Sequence, residues 1–584
     1  MIVARRVYLY GIAFATVWML VNGLAGLLEV ALEAVAQAVV GPVAIVPGSG
    51  LADMVSFYGA LTGIGLVTWI IHWGLVVRGV GRDPVAETRS AIRKLYLYGV
   101  LLIGGLILIF EFRQVLIDLL GLAFGTVSGS DVANGEVLEP LSMLAATGAF
   151  WAYHLRVVHR DRAAVPETGA AATIRRWCVY GLSFVGLMLL LFGMSGLLSR
   201  LIELSVPRDG NAIDSGRWLA LDISGRAASV VAGLIAWVSA WGGSTRQFAN
   251  LAGPDRERDS VLRKVYLYGV LLIAVTWTVW SVALTLYVLL RSLLIPSEAG
   301  ALWSALQSDL GDTLASLIVF GIAWAYHARV VSHEAGAAQE LDRQATIRWI
   351  YGYIVALVGV VTFSIGLGGT LGTVLDLLAN PGLTRSEHWW EERLSLFATM
   401  IVVGLPIWLI PWHRLQREVV ASVARRSLAR RIYIYLVLGV AVLTLLGSGA
   451  YTLYQILRVA LGEQWTVTNT SDLIDAASAA IVAGLMLAYH LRVFQRDSAL
   501  AREDDAAEPP VPAVPTPLLA PGDGLTLSAG GRELVTLLVV RPPTPGDGEA
   551  LRERLQAALP PGTLVESITL DADEAARLLG SSSE

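Results

Sequence analysis

A basic pair followed by two aromatic residues two apart recurs six times along this 584-residue chain. It reads Arg5-Arg6-Val7-Tyr8-Leu9-Tyr10, then Arg93-Lys94-Leu95-Tyr96-Leu97-Tyr98, then Arg175-Arg176-Trp177-Cys178-Val179-Tyr180. It returns as Arg263-Lys264-Val265-Tyr266-Leu267-Tyr268, Arg348-Trp349-Ile350-Tyr351-Gly352-Tyr353 and Arg430-Arg431-Ile432-Tyr433-Ile434-Tyr435. The second aromatics lie 88, 82, 88, 85 and 82 residues apart. A period this regular means that one supersecondary unit is repeated and stacked, so the fold of the whole follows from the fold of the unit.

The unit is built from apolar runs. Hydrophobic residues make up 55% of the chain and charged residues only 16%, against roughly a quarter charged in soluble domains. The runs are long enough for the ~20 helical residues that cross a bilayer. Backbone groups cannot go unpaired in lipid, so such runs are helices. Each unit reads as helix A, a polar loop, helix B and an Arg-rich connector. In the first unit A covers about 5–28 and B about 55–77. Later B helices fall near 141–158, 227–246, 313–331, 394–413 and 473–493. The expectation is an all-α polytopic membrane protein with twelve transmembrane helices in six two-helix hairpin repeats. Their bounds are 1–88, 89–170, 171–258, 259–343, 344–425 and 426–502. The N-terminal apolar run matches the later copies, so it reads as a repeat and not as a cleavable signal.

Charge gives the orientation. The segments before A and after B hold 29 Lys and Arg through residue 502, and the A–B loops hold 9. The positive-inside rule then puts the connectors and both termini in the cytoplasm, for a multi-pass protein of the inner (plasma) membrane in contact with the lipid bilayer. The aromatic and basic residues at the connector ends read as interfacial anchors that reach the headgroups. Residues 501–584 carry 14 Asp and Glu against 6 Lys and Arg, whereas 1–500 carry 34 against 37. An acidic tail therefore hangs from a mildly basic body. Residues 503–523 form an acidic, proline-rich linker. Residues 524–584 alternate strand-like and helix-like runs (533–541, 548–559, 564–570, 573–579), reading as a small cytoplasmic α/β module. At about sixty residues its core is marginal, which suits a module that pairs with itself, docks on the membrane body or binds a cytoplasmic protein partner. No basic patch is dense enough for nucleic acid. A lone cysteine, Cys178, excludes an intrachain disulfide and a cysteine metal cage.

Odd and even units differ at matched positions, so the larger unit is a double repeat of four helices present three times, expected to form a pseudo-threefold body. Counting from the second aromatic, positions +13 and +16 are glycine in every odd unit: Gly23 and Gly26, Gly193 and Gly196, Gly366 and Gly369. Glycines three apart let another helix approach closely. At +23 the odd units carry Glu33, Glu203 and Asp376, and two even units carry Arg291 and Arg458. Glu203 with Arg291 and Asp376 with Arg458 are the expected inter-repeat ion pairs, setting register more than function. Odd B helices place Trp four apart, at Trp69/Trp73, Trp237/Trp241 and Trp408/Trp412.

Even B helices end in Tyr-His-x-Arg, giving His154, His327 and His490. Three equivalent imidazoles facing a common axis are weak candidates for a metal or haem, although no carboxylate or second histidine stands at ligand spacing and no cofactor is required. Eighteen and fifteen residues before those histidines stand Glu136/Glu139, Asp309/Asp312 and Asp472/Asp475. Each pair shares a helix face, and the six form a candidate outer acidic cluster that attracts cations. Acids in a first helical turn are also what the helix dipole favours. Glu111 and Arg113 place charge within an apolar run in one unit only. No phosphate-binding glycine loop, zinc-protease His-Glu motif or Gly-x-Ser-x-Gly elbow occurs, and no catalytic residue is assigned.

At Arg-Arg-x-Tyr-x-Tyr and Tyr-His-x-Arg the repeat resembles the bacterial membrane family known as domain of unknown function 5671, over about 1–500. The resemblance implies membrane residence and hairpin repeats, with no activity or site residues to carry over. Three functions stay open: a non-enzymatic membrane scaffold or sensory protein, a transporter or channel for a cation or small solute, and a metal- or haem-binding intramembrane protein.

Overall fold

The computed structural model describes residues 2–40, 50–128, 131, 137–205, 216–249, 257, 260–295, 299–337, 342–380, 388–418, 425 and 427–507. The module expected at 524–584 and the linker beyond residue 507 lie outside the described residues. Among the described residues are thirteen helices and no strand. The first unit holds α1 (Ile2–Val40) and α2 (Leu51–Arg82), and the short α3 (Pro84–Arg89) follows in its connector. The second holds α4 (Ala91–Phe124) and α5 (Leu138–Ala164), and the third α6 (Ala170–Ser205) and α7 (Gly216–Ala249). The fourth holds α8 (Val261–Leu294) and α9 (Ala299–Ala337), and the fifth α10 (Asp342–Ala379) and α11 (Trp389–Glu418). The sixth holds α12 (Leu428–Ala460) and α13 (Val467–Ala507). α13 thus continues five residues into the segment expected to be linker.

Among the described residues eleven helices are long and apolar enough to cross a membrane, and the chain is a polytopic membrane protein. Twelve such runs were expected. Besides the short α3, the helix outside the eleven is α5, which carries Glu139, His154, Arg156, His159, Arg160, Asp161 and Arg162 within its 27 residues. It packs against α1 and α4, and His154 and Asp161 are buried while Glu139, Arg156, His159, Arg160 and Arg162 stay exposed. The helices also outrun the expected spans. α1 has 39 residues, which at 1.5 Å each is about 58 Å, well beyond a hydrocarbon core of about 30 Å.

Within the odd units, glycine sets the packing. An added Cβ at Gly23 would lie 2.6 Å from the Thr62 amide nitrogen, at Gly193 2.9 Å from the Arg226 carbonyl, and at Gly366 2.8 Å from the Ile401 amide nitrogen. One turn on, Gly26, Gly196 and Gly369 lie under the side chains of Tyr58, Arg226 and Phe397. The partner helix contributes a glycine of its own: Gly65 against Leu20, Gly233 against Leu190, Gly404 against Phe363. As the number rises on one helix it falls on the other, so the two run antiparallel with backbones in contact. The glycines four residues before the first Trp were legible as Gly-x-x-x-Trp-x-x-x-Trp but were not singled out in the sequence. Even hairpins lack this stripe, and their two helices touch less extensively.

The double repeats share one assembly rule. Helix A of the odd unit lies on helix B of the even unit, α1 on α5, α6 on α9 and α10 on α13. Each double repeat has its own core: one holds Tyr10, Trp73 and Tyr96, the next Trp241, Tyr266 and Phe320, the last Trp412, Tyr433 and Ile434. Cys178 is free and buried in the first. Successive double repeats meet where α4 touches α6 and α7, and where α8 touches α10 and α11. Among the described residues the last hairpin makes no comparable contact with the first, so the three follow one another in an open succession and do not close around an axis. Apolar side chains such as Ile70 on α2 and Leu443 on α12, 54% and 68% exposed, cover those outer helices, and lipid solvates such faces as well as another helix would.

Candidate functional site

At the connector end of every double repeat, the odd and even hairpins are joined by one hydrogen-bonded cluster. Spacing the tryptophans four apart puts both indoles on one face of the odd B helix. In the first copy Trp73 Nε1 donates to the Tyr153 hydroxyl at 2.6 Å, and Trp69 Nε1 to the Tyr96 hydroxyl at 3.4 Å. Tyr96 lies 2.9 Å from His154 Nε2, and His154 Nδ1 lies 2.8 Å from the Phe150 carbonyl. A carbonyl can only accept, so Nδ1 carries the ring proton and Nε2 accepts from Tyr96. Both imidazole nitrogens are occupied.

The third copy repeats this arrangement. Trp412 donates to Tyr489 at 2.7 Å and Trp408 to Tyr433 at 3.1 Å. Tyr433 lies 3.3 Å from His490 Nε2, and His490 Nδ1 lies 2.9 Å from the Met486 carbonyl. In the second copy Trp241 reaches Tyr326 at 3.0 Å, Trp237 reaches Tyr266 at 3.1 Å, and His327 Nδ1 meets the Ala323 carbonyl at 2.8 Å. There His327 Nε2 is buried with no hydrogen-bond partner among the described residues.

An ion pair lies over each tryptophan pair. Arg93 grips Asp161 through two bonds of 2.8 and 3.1 Å and reaches the Tyr10 hydroxyl at 3.3 Å. Arg263 pairs with Glu334 at 2.7 Å, and Arg430 with Asp497 at 2.6 Å. These two also donate to Tyr180 and Tyr353, at 3.4 and 3.2 Å. Each guanidinium sits over an indole, 5.7 Å from Trp73, 4.6 Å from Trp241 and 5.6 Å from Trp412, where a cation–π attraction adds to the pair. The acids stand seven residues after the histidines, a regularity visible in the sequence but not used there.

Burial corrects the expectation of headgroup contact for the histidines and for one arginine of each even unit, whereas Tyr153, Tyr326, Tyr489, Arg156, Arg329 and Arg492 are exposed. His154, His327 and His490 are at most 1% exposed, and Arg93, Arg263 and Arg430 at most 3%. A buried guanidinium requires a charged partner, and the acid on the even B helix supplies one. Further acids join the units along the chain. Glu167 meets Lys94 at 2.9 Å and Arg175 at 3.5 Å, and Glu257 meets Arg175 at 3.6 Å and Arg176 at 3.1 Å. Each histidine is enclosed by its own double repeat, so the three do not share an axis. Among the described residues no group of three His, Cys, Asp or Glu is arranged to hold a metal ion.

The residues expected to pair between A helices find other partners. Glu203 pairs with Arg200 at 2.6 Å, and Arg291 with Glu392 of α11 at 2.9 Å. Arg458 turns onto Glu463 in its own loop. Asp376 accepts from Ser471 of α13 at 2.6 Å and from Asn380 at 2.8 Å. The reason is the assembly rule, since the odd A helix lies chiefly on the even B helix and only lightly on the even A helix.

Those of the expected outer acids that lie among the described residues have separate surroundings. Asp475 pairs with Arg393 at 2.8 Å, and Asp472 accepts from Tyr451 at 2.9 Å. Asp312 is exposed. Glu139 couples electrostatically with Glu29 and Glu111. Glu136 lies outside the described residues, and Asp309 lies on α9 with its side chain outside them. Arg113, the other intramembrane charge, donates to Ser229 of α7 at 2.7 Å.

A polytopic helical protein built from three four-helix double repeats is the class that this fold and its repeated cluster define. Residues 6–153, 176–320 and 349–485 each match the family described as "Domain of unknown function (DUF5671)", and the chain belongs to that family. Each matched segment spans one odd and one even unit, so the family domain coincides with the double repeat. No curated protein and no solved structure matches the chain.

Proposed function

We propose that this protein is a non-enzymatic scaffold or sensory protein of the inner (plasma) membrane. In this reading six hairpin repeats cross the bilayer twelve times, both termini are cytoplasmic, and residues 524–584 form an α/β module that recruits a cytoplasmic protein. The observation that carries it is the use of the repeat-matched polar groups within the body. The Trp, Tyr, His, Arg and acidic side chains of the three connector-end clusters are engaged with one another, which suits a rigid platform that presents a tail. Deletion of 503–584 from the full chain tests this: co-purifying cytoplasmic proteins should be lost while the body stays folded. Unchanged partners would remove the reading.

A second reading, a carrier for a small solute, draws on one cleft of about 550 Å³ between α4, α6 and α7. Arg113, Asp222 and Arg226 line it among apolar side chains. Solute flux in proteoliposomes that disappears in Arg113→Gln would favour the carrier over the scaffold.

A further inference from the structure

The middles of the three double repeats are filled differently, and the third is hollow. In the second, Phe192 of α6, Trp277 of α8 and Phe320 of α9 meet ring to ring, with centroids 5.5, 5.3 and 5.7 Å apart. The matched residues of the third, counted from the second aromatic or from the histidine, are Ile365, Thr444 and Ala483. In the first, Trp18, Phe150 and Trp151 crowd the space until no water-sized void is left. Their counterparts in the third are Val361, Met486 and Leu487. Small side chains thus replace aromatic ones from both directions. What they leave is a cavity of about 440 Å³ between α10, α12 and α13.

The cavity is apolar over most of its length. Val361, Ile365 and Val440 line it while being 39%, 51% and 51% exposed, so its mouth opens on the face that lipid covers. At the end away from the connectors stand Arg393 and Asp475. Asp475 precedes His490 by fifteen residues, a rise of about 22 Å along the helix. Arg393 donates one terminal nitrogen to both Asp475 oxygens, at 2.8 and 3.0 Å. Its Nε is buried without a hydrogen-bond partner among the described residues.

An apolar void of this size destabilises a bundle unless something fills it, and water does not occupy apolar cavities. The volume falls within the range of ligand pockets, about 300–1,000 Å³. A hydrocarbon chain entering from the bilayer satisfies the walls. An Arg beside an Asp offers one cation and one anion, which complements a head bearing a phosphate and an ammonium and gives no net attraction to a purely anionic one. We propose that the third double repeat binds one zwitterionic phospholipid, with an acyl chain in the α10–α12–α13 cavity and its head on Arg393 and Asp475. The first and second double repeats have no such site because their aromatic side chains occupy the space.

Native mass spectrometry of the full chain released from nanodiscs of mixed phosphatidylethanolamine and phosphatidylglycerol tests this. One phosphatidylethanolamine per chain is the expected adduct. Grafting the aromatic filling of the second double repeat, Ile365→Phe with Thr444→Trp and Ala483→Phe, should lower that adduct about tenfold or more. Should the triple variant not fold, Ala483→Phe alone narrows the cavity and carries the same expectation. Arg393→Gln, which leaves the cavity open, should erase the preference for phosphatidylethanolamine. An absent adduct in the wild type, an adduct that survives the filling substitutions, or equal retention of phosphatidylglycerol would each overturn the proposal.

Discussion

The connector ends of the three double repeats use the same side chains, whereas their middles do not. At the connector end a Trp pair, two Tyr, a His, an Arg and an acid recur in matched positions, with matched partners except for the Tyr–His bond that the second copy lacks. In the middle the first copy is crowded, the second is stacked with aromatics and the third is hollow. The difference teaches which interactions define the fold. Hairpin docking depends on directional bonds that tolerate little change, while apolar packing can diverge as long as shape is kept. A repeat protein can therefore vary one interior without losing the rule that assembles it.

Removing one half of a buried pair should break the connector end most severely. Glu334→Ala strips Arg263 and Lys264, whose side chains are only 2% and 8% exposed, of the acid they share, a change that costs about 3–5 kcal/mol, read as the largest loss of thermal stability in a fixed detergent. The glycine crossing comes next. Gly359→Ala would drive a Cβ into the Trp408 backbone, and overpacking of this kind costs about 1–3 kcal/mol. Gly447→Ala on the even helix α12 meets nothing within 4 Å and should be neutral or stabilise by up to about 1 kcal/mol.

The hydroxyl relay sharpens the comparison between copies. Tyr433→Phe orphans both Trp408 and His490, whereas Tyr266→Phe orphans Trp237 alone. Each lost bond to a buried group is worth about 1–3 kcal/mol, so the melting temperature of the Tyr433 variant should fall further. Smallest of all, Arg458→Ala breaks a pair whose partners are 34% and 47% exposed and should cost under about 1 kcal/mol.

Much of this was legible in the chain. The six start signatures placed the long helices, and the matched glycines placed the tight odd crossings. The positive-inside argument, though, treated every basic residue near a helix end as facing headgroups. That hid the pairing of Arg93, Arg263 and Arg430 with Asp161, Glu334 and Asp497, although the acids recur seven residues after each histidine. The expected Glu203–Arg291 and Asp376–Arg458 pairs failed because equal height along two helices does not make them neighbours. Which helix faces which is set by packing. The hollow of the third double repeat was illegible for the same reason, since its missing aromatics lie on three separate helices and mean nothing until those helices are brought together.

The central claim is that buried charge pairs at the connector end hold the two helices of each even hairpin together and dock that hairpin on the odd one's tryptophan and tyrosine. A double-mutant cycle on Arg430→Met and Asp497→Leu, followed by unfolding in one detergent, tests it most directly. The account predicts that each single substitution destabilises strongly and that the pair together recovers most of the loss, because an apolar replacement leaves no buried charge unpaired. Losses that simply add, within about 0.5 kcal/mol, would contradict it.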